Sequence, residues 1–177
     1  MNSRAPLILL LLAFVVPVAA AYLVLNQGWY QGGSTNKGTL LDSLDYLAMA
    51  QSNPAERHWQ LLTLVPADCD AQCEDRLTAL QQIHVALGRE KSRVVPVLYL
   101  QQGQSEATRL LSERGFATAT ANEQVSRLLE RYPLVIVDPL GQWVMGYEPA
   151  QGRDQQIAQG KALLTDLRKM LKLSRIG

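Results

Sequence analysis

Net charge is almost absent from this chain: 17 Lys and Arg stand against 16 Asp and Glu, a formal net charge of +1. No large electrostatic field therefore points to nucleic acid or to an acidic partner. The sequence also lacks a phosphate-binding glycine loop, a metalloprotease helix and a nucleophile elbow, so none of those three chemistries has its signature here. There is no internal repeat and no low-complexity tract. Thiol and imidazole groups are few: two cysteines, Cys69 and Cys73, and two histidines, His58 and His84.

One long apolar run is present. Pro6 to Leu25 carries no charged side chain, and roughly 20 residues at 1.5 Å each span a bilayer core of ~30 Å. Arg4 precedes the run, and Gly28 to Lys37 after it is nearly uncharged. That asymmetry predicts a cytoplasmic N-terminus and a body on the far side of the membrane. Val18-Ala19-Ala20-Ala21 also offers small residues for signal cleavage. The apolar run continues past them through Tyr22-Leu23-Val24-Leu25, which favours a retained anchor. Either way the body is exported to an oxidising compartment, where a cysteine pair persists as a disulfide. The chain divides into residues 1–25 as anchor, 26–38 as a glycine-rich linker, and 39–177 as one folded domain, ~140 residues being a common size for a single core.

Within the domain, Leu40 to Ala50 fits either a helix or an edge strand. Trp59 to Val65 is an apolar run closed by Pro66 and reads as a buried strand. Asp68 or Asp70 can cap the helix that follows, with Leu77, Leu80, Ile83, His84 and Leu87 on one face and Gly88 as its stop. Val94 to Leu100 is a second buried strand, in which Pro96 argues against pairing on both sides along the whole length. Ser105 caps a helix to about Glu113, and Asn122 caps another through Arg131. Leu134 to Val137 is a third strand, turned at Asp138-Pro139-Leu140-Gly141 into a hairpin. Asp154 caps a last helix with Ile157, Leu164, Leu167 and Leu171 inward. A βαβ unit followed by a ββα unit predicts an α/β fold, a mixed sheet with helices on both faces.

This order resembles the thioredoxin fold. Cys69 and Cys73 stand where the first long strand meets its helix, and Tyr132-Pro133-Leu134-Val135-Ile136-Val137 is similar to the stretch that places a proline opposite the cysteines. The resemblance implies that Pro133 is cis. Three residues, Asp70, Ala71 and Gln72, separate the cysteines. That C-x-x-x-C spacing on an anchored, exported domain is similar to the Sco/SenC family of copper-handling assembly factors for cytochrome c oxidase. The segments Asn36-Lys37-Gly38-Thr39-Leu40-Leu41 and Leu171-Lys172-Leu173-Ser174-Arg175-Ile176-Gly177 look like a divergent group of Sco-like proteins. The resemblance implies a single-pass protein of the inner membrane with its domain in the periplasm. Its implied partners are the membrane and cytochrome c oxidase subunits or assembly factors, with no nucleic acid. Glu74 stands where the Sco pattern has proline, and no histidine lies near Glu130, where that family completes its copper site.

The cysteines allow three uses: a redox-active dithiol, a copper(I) site of two thiolates, or a structural disulfide on an interaction module. Helix geometry places positions i and i+4 on one side, so the two sulfurs can bond after a small adjustment. The helix N-terminus favours a thiolate. Asp68, Asp70, Glu74 and Asp75, offset by Arg76 alone, oppose it and predict a thiol that is not strongly activated. In this fold the better-exposed cysteine, here Cys69, usually attacks. His84 lies ~16 Å along the helix from Cys73, and His58 lies more than ~20 Å away across the strand, so neither shares a metal with the sulfurs. Met145, Trp59 and Trp143 read as core residues, and Lys161, Arg168, Lys169, Lys172 and Arg175 as a solvated helix face.

Overall fold

Apolar runs set the centre of the structure. Trp59–Val65 (β2) and Val94–Leu100 (β3) are almost entirely buried and pair in parallel over seven positions, from Trp59 opposite Val94 to Val65 opposite Leu100. The computed structural model describes residues 4–27, 35–101 and 111–177, and the chain divides into two units, residues 1–35 and 36–177.

In the first unit, Ala5–Asn26 (α1) is an uncharged 22-residue helix with Pro17 inside it, long and apolar enough to cross a membrane. A proline is tolerable within a membrane helix.

In the second unit, β2 leads into Ala71–Ala86 (α2), and a 3₁₀ turn over Gly88–Arg93 delivers the chain to β3. Ala117–Thr120 (β4), Glu123–Arg131 (α3), Leu134–Val137 (β5), Trp143–Tyr147 (β6) and Arg153–Leu173 (α4) follow. With Thr39–Leu40 (β1), the strands form one sheet in the order β1-β6-β5-β2-β3-β4. β2, β3 and β4 are mutually parallel, while β5, β6 and β1 join antiparallel. This is the mixed sheet that the sequence predicts. Successive strand residues face opposite sides, so two cores form. Leu77 and Leu80 of α2 and Leu163, Leu167 and Leu171 of α4 cover one face. Val125 and Leu129 of α3, with Tyr46 and Met49, cover the other. Buried Gln60 is satisfied, because it accepts from the Tyr46 hydroxyl at 2.6 Å and donates to Asn53 at 2.9 Å.

Several expectations hold. Asn122 caps α3 by accepting from the Val125 amide. Pro96 is paired only with β2, since β4 begins its pairing at Val97. Gly141, at φ +88°, closes the turn by donating to the Asp138 carbonyl at 3.0 Å.

Others are corrected. Leu40 to Ala50 is neither a helix nor a full strand: after β1, Ser43 and Ala50 take left-handed φ values of 54° and 46°, which interrupt any regular element. Leu47 is 88% exposed. Gly152, not Asp154, caps α4, because its positive φ of 79° turns the chain two residues earlier and leaves Asp154 in the first turn. Ile157 is exposed and lines an open groove between α2 and α4 instead of the core. β4 was not anticipated. Pro133 is trans, as is every peptide bond among the described residues. Tyr132 takes φ −123° and ψ 87° between α3 and β5, outside the helical region that a following proline disfavours. Ser105 lies outside the described residues.

Gly146 on β6 sits against Tyr132, whose Cγ would lie 2.7 Å from a Cβ at that position. Gly146→Ala should destabilise the protein by about 1–3 kcal/mol through overpacking, read as a lower urea midpoint. Leu47→Ala, at an exposed position, should leave the midpoint unchanged.

Candidate functional site: a disulfide at a strand-to-helix junction

β2 ends at Val65, and five residues later α2 is capped by Asp70, whose carboxylate accepts from the Cys73 amide at 2.9 Å. Cys69 is the residue before that cap. Cys69 and Cys73 form a disulfide with their Cα atoms 5.3 Å apart, so the sequence expectation of two sulfurs on one side of the helix entrance holds. Burial separates their roles. Cys73 is 1% exposed and packs with Leu77 and Leu80 in the core, whereas Cys69 is half-buried at the core's edge. A reagent in solution reaches the bond through Cys69.

The charges around the pair are arranged by the cap. Asp70 is committed to the helix N-terminus, and Asp68, Glu74 and Asp75 are exposed. Glu74 faces Arg114 at 3.7 Å. Arg76, expected only as a counter-charge, is half-buried. Burial pulls its guanidinium below the ordinary arginine range, and Asp70 partly opposes that shift. Its Nε is buried without a hydrogen-bond partner.

Pro133 opens β5. Its carbonyl accepts from the Thr63 hydroxyl of β2 at 2.7 Å, which ties the start of β5 to the strand that carries the cysteines. Its ring shares a depression of about 60 Å³ with Gln72 and Arg76 of α2. Pro133, in the trans form, therefore lies by Gln72 and Arg76 of the cysteine-bearing helix. His58 is exposed, its Nδ1 2.9 Å from the Glu56 carbonyl, and His84 places Nε2 3.0 Å from the Lys91 carbonyl. Neither joins the sulfurs. Among the described residues no three His, Cys, Asp or Glu side chains gather as a metal site. Met145, Trp59 and Trp143 are buried in the two cores.

Two residues escaped the sequence reading. Thr63 is a lone hydroxyl in an apolar strand, and that interruption was its only signal. Asp166, the single acid among the inward leucines of α4, is buried. Its Oδ2 accepts from the Lys37 and Gly38 amides at 2.7 and 3.1 Å and from the Tyr147 hydroxyl at 3.1 Å. Burial and that carboxylate raise the Tyr147 hydroxyl well above its ordinary range. Asn36–Gly38, read from sequence as the end of the linker, belong to the folded unit.

A mixed sheet with helices on both faces, and a disulfide where a central strand enters its helix, define a thioredoxin-like domain. The family described as "transmembrane-like, thioredoxin-like, C-terminal domain" matches residues 59–174, and the chain belongs to it. No curated protein matches the chain. Among solved structures, a thiol:disulfide interchange protein from Bacteroides sp. is similar at 16% identity, over 65% of this chain and 74% of that one, with a TM-score of 0.43. A secreted Mycobacterium tuberculosis disulfide oxidoreductase homologous to E. coli DsbE is similar at 14% identity, over 61% and 82%, with a TM-score of 0.41. A DsbF homologue from Corynebacterium diphtheriae is similar at 15% identity, over 77% and 89%, with a TM-score of 0.39.

Asp70→Ala removes the cap and should cost about 1 kcal/mol. Thr63→Val leaves the Pro133 carbonyl without its donor and should cost about 1–2 kcal/mol. Urea unfolding of each variant with the disulfide intact measures both.

Proposed function

We propose that this protein is a membrane-anchored thiol–disulfide exchange protein whose domain faces the periplasm, acting through Cys69 and Cys73 on the cysteines of a cytochrome c oxidase subunit or assembly factor. The observation that carries the exchange reading is the asymmetric disulfide: one sulfur at the surface side, one sealed in the core. The oxidase partner rests on the C-x-x-x-C resemblance to Sco/SenC proteins. The inner-membrane, single-pass placement rests on the apolar helix and on Arg4 before it.

The exchange balances as follows. A partner thiolate attacks Cys69 Sγ. The partner–Cys69 bond forms, the Cys69–Cys73 bond breaks, and Cys73 leaves as a thiolate that takes up a proton. The partner's second thiolate then attacks its own sulfur in the mixed disulfide and releases the Cys69 thiolate. The partner dithiol is oxidised to a disulfide and the protein's disulfide is reduced to two thiols. In the reverse direction Cys69 attacks a partner disulfide and Cys73 resolves the mixed species.

Copper(I) handling is a second reading, supported by the two sulfurs meeting at one point. With no third His, Cys, Asp or Glu gathered with them among the described residues, the reduced pair would offer the ion its two thiolates.

The full-length protein in detergent should show one reversible two-electron transition across a series of glutathione redox buffers, counted as free thiols by mass after maleimide labelling and absent in Cys69→Ser. Stoichiometric copper(I) uptake by the reduced protein, lost in the same variant, would establish the second reading. Neither response would overturn both and leave a non-catalytic interaction module.

A further inference from the structure

The depression lined by Gln72 and Arg76 of the cysteine-bearing helix contains one charge. Arg76 sits three residues beyond Cys73 on α2, ~4.5 Å further along the helix axis. It makes no hydrogen bond and no ion pair among the described residues. Its Nε is buried without a partner while Asp70 acts on it only from the helix cap, and a carboxylate that enters the site supplies the missing charge-assisted hydrogen bond. The rest of the lining suits such a guest. Gln72 from α2 and Gln156 from α4 bring side-chain amides that make no hydrogen bond among the described residues. Pro133, Pro149 and Ala79 supply apolar walls, and no acid lines the depression. Low-dielectric walls strengthen a charge pair made there.

The surroundings favour a polypeptide over a small ion. A groove of about 350 Å³ between α2 and α4 shares Ala79, Gln156 and Gly160 with the depression. Its charged lining is Asp75 against Arg153 and Lys161, a positive balance. An extended chain advances ~3.3–3.6 Å per residue, so a partner cysteine at Cys69 brings the side chains one to three residues away within reach of Arg76.

We propose that Arg76, with the amides of Gln72 and Gln156, forms a carboxylate-reading subsite that selects partner polypeptides carrying Asp or Glu within three residues of the cysteine that exchanges. The selectivity rests on the exchange reading above; the binding site itself does not.

Two pairs of capped heptapeptides test this with the full-length protein. In one pair a central Ser replaces the cysteine, with Glu or Gln two residues away. The other pair restores the cysteine. The Ser–Glu peptide should bind about five- to tenfold more tightly than the Ser–Gln peptide. Arg76→Gln should bring that ratio to about one, and Arg76→Lys should keep part of it. The preference should fall with added salt. A wild-type ratio of one, or a ratio that survives in Arg76→Gln, overturns the subsite. If Arg76→Gln fails to fold by circular dichroism, the wild-type ratio and Arg76→Lys still decide it, since a lysine ratio equal to wild type with no salt dependence also overturns the subsite. With the cysteine pair, the same preference should appear in the rate of mixed-disulfide formation. Failure of both cysteine peptides to exchange, with the Ser–Glu preference intact, contradicts the exchange reading and the selectivity built on it, while the carboxylate site stands.

Discussion

Strand β2 is buried on both faces and hydrogen-bonded along both edges, to β3 on one side and β5 on the other, and the chemistry of this protein hangs from its C-terminal end. A strand so enclosed has no freedom to slide, because a shift of one residue would move Leu62 and Leu64 to the wrong core. The chain therefore leaves the sheet at a fixed place, and α2 must start there. Asp70 caps that start through the Cys73 amide, and Leu77, Leu80 and Ile83 anchor the helix on the sheet. The disulfide occupies the short span between the end of the strand and the first turn of the helix.

Burial then differentiates two chemically identical side chains. Cys73 lies on the inward face of α2 and is enclosed with the leucines, while Cys69, before the cap, stays at the edge. The same docking puts Arg76 between α2 and the proline-bearing start of β5, where water is reduced and no acid faces it across the depression. The acids that crowd this helix entrance in the sequence are disposed otherwise: Asp70 is committed to the cap, Glu74 faces Arg114, and Asp75 lines the groove between α2 and α4. Packing thus makes the two sulfurs unequal, and a single cation marks the depression on the same helix.

The elements legible in the sequence were those with a strong local signal. β2, β3 and β5 are continuous apolar runs, and α3 begins on the residue that caps it. β4 reads Ala-Thr-Ala-Thr, without an apolar run, and exists because an edge position beside β3 asks for pairing on one side only. The 41–50 segment misled because its leucines fit a helix while two left-handed residues, Ser43 and Ala50, break it. At the site, the spacing of the cysteines allowed the disulfide, since four residues across a helix entrance can bring two sulfurs together. The state of Pro133 was carried over from resemblance, and the local chain conformation went the other way. Arg76 and Asp166 were illegible for a common reason: their surroundings come from elements distant in sequence, from β5 and α4 for Arg76 and from Lys37 and Gly38 for Asp166.

The difference between the two sulfurs is open to direct chemical reading. The oxidised full-length protein is exposed briefly to a small thiol, quenched with N-ethylmaleimide, and the adducts are located by peptide fragmentation. The added thiol should sit on Cys69 and the maleimide on Cys73. The thiol on Cys73, or shared equally between the two, would contradict the account.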